Sequence, residues 1–341
     1  MAGVAAADAA ATASGAKVAP TSRRDEGGRE AALIVCLSSS VSSLGSKPAQ
    51  TGADAVGIVD HEGGGCSPHP FWVGVRACGA GAGAPLLRMA FVLQLVHITF
   101  SCADPGRLAE FWSALLDYEP APAGESWNAK DPRGEGTTLL FNRMAKSQTL
   151  QMPIHLDINV PDHEAERERI LQLGGRLVET KSFRVGDLSD TWTVMRDPEG
   201  NGFCVESPPN TTHRHIWNVS FSCAEPRELG RFWAFALGWP DEDIDPSIVQ
   251  RFRDAGVGEP ELSGFHVTKP PDGGWPRFYF QRREKSRPDS HPIHLDFATE
   301  DREAEVERLT QAGATVVESK KGTKLIFTVM RDPEGNPFCV G

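Results

Sequence analysis

The nine residues Thr193–Asn201, TVMRDPEGN, return unchanged at Thr328–Asn336. An identity of that length within one chain marks an internal duplication, and the repeat unit sets the scale for the rest of the reading. Thr193, Val194 and Met195 favour an extended backbone. Asp-Pro-Glu-Gly then supplies a turn, with Asp at the first position, Pro with its preset φ at the second and Gly at the fourth. Gly202-Phe203-Cys204-Val205 resumes the strand, as does Pro337-Phe338-Cys339-Val340 in the second copy. Each copy is therefore expected to close on a β-hairpin.

The duplication extends backwards. VHITFSCADP at Val96–Pro105 matches WNVSFSCAEP at Trp217–Pro226, 121 residues on, and Phe111-Trp112 matches Phe232-Trp233 at the same offset. PIHLD at Pro153–Asp157 returns at Pro292–Asp296 with an offset of 139, and the hairpins return at 135. Copy two thus carries an insertion in its first half and a shorter loop in its second. A chain of 341 residues has room for about two domains, and the repeat places them at 93–210 and 211–341.

The chain has 35 basic and 46 acidic residues, a net charge of −11 that resides in the two copies. Without a basic run, neither nucleic acid nor an anionic membrane is an expected partner. No apolar run reaches the length of a membrane span. Seven widely spaced cysteines without a CxxC argue against a disulfide framework and for a reducing cytoplasm. Residues 1–88 are rich in Ala and Gly and lack periodicity, the composition of a disordered extension. Met89, just ahead of the first periodic strand, is an alternative start.

Within copy one, Val96, Ile98 and Phe100 alternate with His97, Thr99 and Ser101, the pattern of a half-buried strand. Asp104-Pro105 opens a helix as N-cap and first helical residue. Leu108, Phe111, Trp112, Leu115 and Leu116 form its apolar stripe. Strands are expected near Ser126–Lys130, Thr137–Arg143 and Pro153–Val160, the last with Ile154, Leu156 and Ile158 opposite His155, Asp157 and Asn159. A helix over Asp162–Leu173 stops at Gly174-Gly175, and three strands follow. The class is α+β, with helices on one face of each sheet. By alternation His215 falls on the strand face opposite Asn218.

The DPEGN-x-FCV hairpin, the PIHLD strand and the CADP-x₄-FW helix entry, in order and twice, resemble the glyoxalase-like branch of the vicinal oxygen chelate superfamily. The resemblance covers about 93–341. It implies tandem domains, each of two βαβββ-type half-modules forming a concave cleft. It also implies one metal ligand from the first strand of each half and carboxylates from later strands.

Those positions hold His97 and His155 in copy one. Where metal-binding relatives carry a Glu after the turn, this chain has Cys204, with Glu206 two residues on. His97, His155 and either Glu206 or Cys204 are the expected ligands of a single Zn, Fe or Mn ion in copy one, and Glu206 is the expected catalytic base. The alternative is that the histidines are hydrogen-bonded cleft residues and Cys204 a small buried hydrophobe. Copy two offers Asn218, His294 and Cys339, and Asn is a poor ligand for such a metal. Asp157 and Asp296 are expected to orient a histidine or to pair with Arg143 and Arg282. Trp127 and Trp275 are candidates for stacking on a substrate, and Asn218, His294 and Asp296 for binding it.

Two functions remain open at this level, beside a purely structural pseudo-dimer with no ligand. One is a metal-assisted lyase, isomerase or dioxygenase of the vicinal oxygen chelate type. The other is a metal-free protein that sequesters a drug or metabolite, similar to bleomycin-resistance proteins. In both a small molecule is the partner, and the tandem copies imitate a dimer within a monomeric chain.

Overall fold

The computed structural model describes residues 93–144, 153–185, 188–241, 246–254, 256–283, 291–321 and 326–341. The extension at 1–88 and Met89 lie outside these residues. Copy one begins with β1 (Gln94–Cys102), α1 (Pro105–Leu116), β2 (Glu119–Ala123), β3 (Ser126–Lys130) and β4 (Thr138–Arg143). Its second half is β5 (Ile154–Asn159), α2 (His163–Gln172), β6 (Arg176–Val185), β7 (Leu188–Arg196) and β8 (Gly202–Glu206). Copy two opens with β9 (His215–Cys223) and α3 (Pro226–Leu237). The insertion follows as α4 (Pro246–Asp254) and α5 (Glu259–Leu262), then β10 (Phe265–Thr268) and β11 (Arg277–Arg282). It ends in β12 (Ile293–Ala298), α6 (Arg302–Gln311), β13 (Thr315–Lys321), β14 (Ile326–Arg331) and β15 (Pro337–Val340). This is the α+β class, built from βαβββ-type halves. Among the described residues no helix is long and apolar enough to cross a membrane.

The local signals act as expected. Asp104 caps α1 by accepting from Arg107 N, and Asp162 caps α2 by accepting from Ala165 N. Gly200 and Gly335 sit at φ +94° and +89°, a region that side chains rarely adopt, and this fixes them as the closing residues of the two turns. Ile98, Phe100, Ile154, Leu156, Ile158, Val219, Phe221, Ile293, Leu295 and Phe297 are all buried under the helices. Val96 is the exception at 37% exposure. The register of β1 against β12 shifts between Leu95 and His97, so the alternation slips there and Leu95 packs on the core instead.

The halves are exchanged between the copies. One sheet has eight strands in the order β13-β14-β15-β12-β1-β4-β3-β2, and the other seven in the order β10-β11-β9-β5-β8-β7-β6. The first half of copy one therefore shares a sheet with the second half of copy two, through antiparallel β1 and β12. The remaining halves meet through β5 and β9. Each concave cleft is thus lined by both copies.

The two halves of one copy meet instead through their helices and turns. Phe111 and Trp112 of α1 pack on Phe203 of β8 at ring separations of 6.1 and 5.1 Å. The Trp112 indole N–H donates to buried Asp197 at 3.3 Å. Asp197 also accepts from the backbone N–H of Glu199 and Asn201 and from the Asn201 amide. The Glu199 carboxylate accepts from Ala103 N and Asp104 N, ahead of α1. Trp233, Asp332, Asn336 and Glu334 repeat this arrangement in copy two. The repeated turn is therefore a latch as well as a turn: it ties the last hairpin of each copy to its own first helix.

Candidate functional site: two crossed clefts

In the eight-stranded sheet, β1 lies beside β12 with His97 opposite Asp296 and Thr99 opposite His294. Parallel β15 places Cys339 beside Asp296. His294 Nε2 is 3.4 Å from Asp296 Oδ1, Thr99 Oγ1 donates to Asp296 Oδ2 at 2.5 Å, and His97 Nδ1 is 4.0 Å from the same oxygen. The side chains of His97, His294 and Asp296 are 31, 20 and 22% exposed, so the cleft is open to solvent. Burial opposes ionisation of Asp296, but hydrogen bonds from His294, Thr99 and Cys339 outweigh it and hold the carboxylate below its usual range. Burial, with Asp296 adding to it, pushes the Cys339 thiol up to about 12. Burial lowers His97 below the ordinary imidazole value, against the pull of Asp296, and keeps it neutral at pH 7.

The seven-stranded sheet holds the same trio, closed. Asp157 lies beside Cys204 and opposite Asn218, and His155 opposite Ser220. His155 Nε2 is 3.4 Å from Asp157 Oδ1, and Ser220 Oγ and Asn218 Nδ2 donate to Asp157 Oδ2 at 2.6 and 2.9 Å. All are buried. Where β4 of the other sheet has Thr138 beside His97, β11 here has Arg277 beside Asn218. Arg277 donates to Asn218 Oδ1 from Nε and Nη2 at 3.0 and 2.8 Å and lies 3.9 Å over the Trp217 ring. It is the only buried Lys or Arg among the described residues. Burial draws it down to about 10, against the attraction of Glu206 and Asp157. The insertion packs on the outer strands of this sheet: Phe252 of α4 and Leu262 at the end of α5 lie against Phe265, Val267 and Tyr279.

These positions correct the sequence-based site. His97 and His155 do not converge, because strand exchange puts them in different sheets. No single copy supplies a His97–His155–Cys204 centre. Glu206 is fully buried in the closed cleft, away from His97, and the matching position of copy two is Gly341. Asn218 does not face His294; it bridges Arg277 and Asp157 in the closed cleft. Neither proposed aspartate–arginine pair forms. Arg143 donates to the Ala103 carbonyl and Arg282 reaches toward that of Ser263. Trp127 packs on the core beside α1, its ring 3.3 Å from where a Cβ on Gly106 would lie, rather than in a cleft. Trp275 stacks on His215 at the joint between the copies. Arg277 and Thr99 make cleft contacts that the sequence reading missed; the substitution of His97 and Thr138 by Asn218 and Arg277 was the available signal.

Two groups of three side chains, His155-Asp157-Cys204 and His294-Asp296-Cys339, each offer ligand atoms within 4.8 Å of one another. The open group fits a zinc-type ion: imidazole, carboxylate and thiol, with a side left to solvent. The closed group has the donors but also a buried guanidinium already neutralising the local carboxylates, so a dication fits it poorly.

An exchanged pair of α+β sheets, each with a polar concave face, defines the tandem vicinal oxygen chelate class. Within that class the chain belongs to the glyoxalase-like domain family, whose sequence model matches residues 97–206 and 218–341. Among solved structures, glyoxalase I from Zea mays is similar over 73% of this chain and 92% of its own, at 12% identity and a TM-score of 0.52. A point mutant of that protein gives 0.53 at 13% identity, over 74% of this chain and 92% of its own. A putative dioxygenase from Bacillus subtilis gives 0.50 at 10% identity, over 73% of this chain and 84% of its own. These likenesses are of fold. No curated protein sequence matches the chain.

Proposed function

We propose that the protein binds and transforms a small oxygen-bearing molecule in the open cleft of the eight-stranded sheet, using one zinc-type ion on His294, Asp296 and Cys339. The observation that supports this is the contrast in access: the same trio occurs twice, but only this one meets solvent and lacks a buried cation beside it. A bound ion would supply Lewis-acid polarisation of a substrate oxygen. Thr99 fixes the Asp296 carboxylate and His294 abuts its other oxygen, so the donor set is oriented in advance. His97, neutral and at the rim, accepts a proton at its imidazole nitrogen, with Asp296 at 4.0 Å to stabilise the resulting cation.

Elemental analysis of the purified full chain tests this. The expected result is about one zinc-type ion per chain, lost in His294→Ala and kept in His155→Ala. Retention in His294→Ala would place the ion elsewhere and overturn the assignment.

A second reading has its own support. The Cys339 thiol stays protonated up to about 12 and Asp296 is already hydrogen-bonded on both oxygens. That satisfied cluster suits a metal-free cleft that sequesters its ligand. A metal-free preparation that still binds an aromatic ligand, with binding weakened in His97→Ala, would select it.

A further inference from the structure

Just ahead of β1, the chain meets the end of α3. Leu93 is buried in the core, and its backbone N–H donates to the Ala236 carbonyl at 3.4 Å. The same oxygen accepts from Arg308 Nη2 of α6 at 3.0 Å, and the Arg308 guanidinium lies 4.3 Å over the Phe235 ring. Glu305 holds that guanidinium in turn. Phe235 is thus covered from one side, yet it is still 49% exposed. From it a groove of about 520 Å³ runs along α3, with Leu229 and Phe232 on the same helix and Ala312 and Pro333 opposite. Glu225 and Glu228 stand at its far end. The volume is enough for a small molecule or a few side chains.

The two copies differ here in a correlated way. On α1 the residue matching Phe235 is Ala114, and Leu173 stands where copy two has Ala312. The lead-in to β9, residues 207–213, reads SPPNTTH, with no apolar side chain beyond proline. Arg214, which follows it, bonds to Asp117 at the end of α1 at 3.0 Å, as Leu93 bonds to the end of α3. Rings hold that lead-in. The register of β5 against β9 slips between Asp157 and Ile158, which leaves Trp217 as an extra residue and turns His215 onto the face of Asn218 rather than opposite it. His215 then stacks on Trp275 at 4.2 Å, and His213 meets the same indole at 5.7 Å. The lead-in to β1, residues 86–92, reads LLRMAFV. The apolar lead-in therefore adjoins the helix with an exposed phenylalanine, and the polar one adjoins the helix with an alanine.

We propose that the groove on α3 is the docking site of the chain's own residues 88–92, which fasten the N-terminal extension to copy two. The helix from Glu225 to Phe235 is about 15 Å long, and five extended residues span about 16 Å. Leu93 faces the core, so alternation turns Phe91 and Met89 to the same side. Phe91 lies against the free face of Phe235, and Met89 against Leu229 and Phe232. Arg88 then reaches the acidic end at Glu225. A chain that starts at Met89 keeps both apolar anchors.

The test is limited trypsin digestion of the full chain, comparing cleavage after Arg88 with cleavage after Arg76, which lies upstream of the docked residues. In wild type Arg88 is expected to be cut at least about tenfold more slowly than Arg76. Phe91→Ser and Phe235→Ala should each bring Arg88 close to the rate at Arg76. Phe235→Ala copies the residue already present on α1, so the helix accommodates it. Should it nevertheless unfold, Phe91→Ser, ahead of β1, decides. Equal cutting at the two sites in wild type, or slow cutting at Arg88 that persists in both variants, would overturn the proposal. So would a dimer in sedimentation that Phe235→Ala dissolves, which would give the groove to a second copy of the chain.

Discussion

The two clefts of this protein use the same three side chains to opposite ends. In the eight-stranded sheet His294, Asp296 and Cys339 lie at an open surface with His97 and Thr138 beside them. In the seven-stranded sheet His155, Asp157 and Cys204 are buried, with Asn218 and Arg277 in place of His97 and Thr138. The difference teaches that the trio alone does not make a site. What surrounds it decides whether its carboxylate is available or consumed. Asp157 is held ionised by His155, Ser220 and Asn218 against the penalty of burial, and Arg277 balances its charge indoors. Asp296 is held by His294, Thr99 and Cys339 and remains within reach of water.

The largest effect expected from this comparison is at Arg277. Arg277→Met leaves Asp157 and Glu206 buried without their cation and should lower unfolding stability by about 3–5 kcal/mol, read from chemical denaturation. Thr138→Ala, at the matching position of the open cleft, should change it by less than about 0.5 kcal/mol. Equal effects would dissolve the distinction between the clefts.

Next come the latches. Asp197→Ala strands the Trp112 indole N–H and two backbone N–H groups in the core and should cost about 2–4 kcal/mol, with Asp332→Ala close to it. The pH dependence carries a sign. Burial raises both aspartates to about 6, despite the N–H groups that donate to them. Between the unfolded value near 3.8 and about 6 the folded chain holds more protons, so these two groups lend stability at low pH that is lost as pH rises through this window. Asp157 and Asp296 are shifted down, and their contribution runs the other way, disappearing as pH falls below the ordinary carboxylate range. The Asp197→Asn/Asp332→Asn double variant should therefore lose less stability than wild type between pH 4 and 6. A steeper loss in the variant would show the sign to be reversed.

A smaller effect is expected at the turns. Gly200→Val forces a β-branched residue to a φ of +94° and should cost about 1–3 kcal/mol, with Gly335→Val equivalent. An unchanged melting midpoint for either would argue against the left-handed geometry. Because the two turns share one geometry, a large difference between them would also break the pseudo-symmetry of the copies.

Much of this was legible in the chain itself. Asp104 read correctly as an N-cap, the DPEG turns as tight turns, and the alternation of Ile154 to Asn159 as one buried and one polar face. Those features depend on contacts a few residues apart, where side-chain chemistry and backbone geometry leave few options. Val96 and His215 were misread for one reason: a β-bulge inserts a residue and flips every later side chain, and no residue type near Leu95 or Trp217 demands one. The second role of Asp197 and Glu199, holding Trp112 and the entry to α1, was invisible because it links residues some 90 apart in the chain.

The sequence by itself determined the duplication, the α+β class, the shared polar face of the His and Asp on each PIHLD strand and the asymmetry between His97 and Asn218. Only the tertiary structure decided which half pairs with which, and hence that His97 shares a sheet with His294 rather than His155. The reason is physical. The edges of β5 and β12 carry the same residues at their start, so β1 meets equivalent backbone hydrogen bonds and equivalent side-chain faces on either one. Local pattern cannot choose between equal partners. The choice falls to long-range terms: the packing of α1 on β8 and the latch at Asp197.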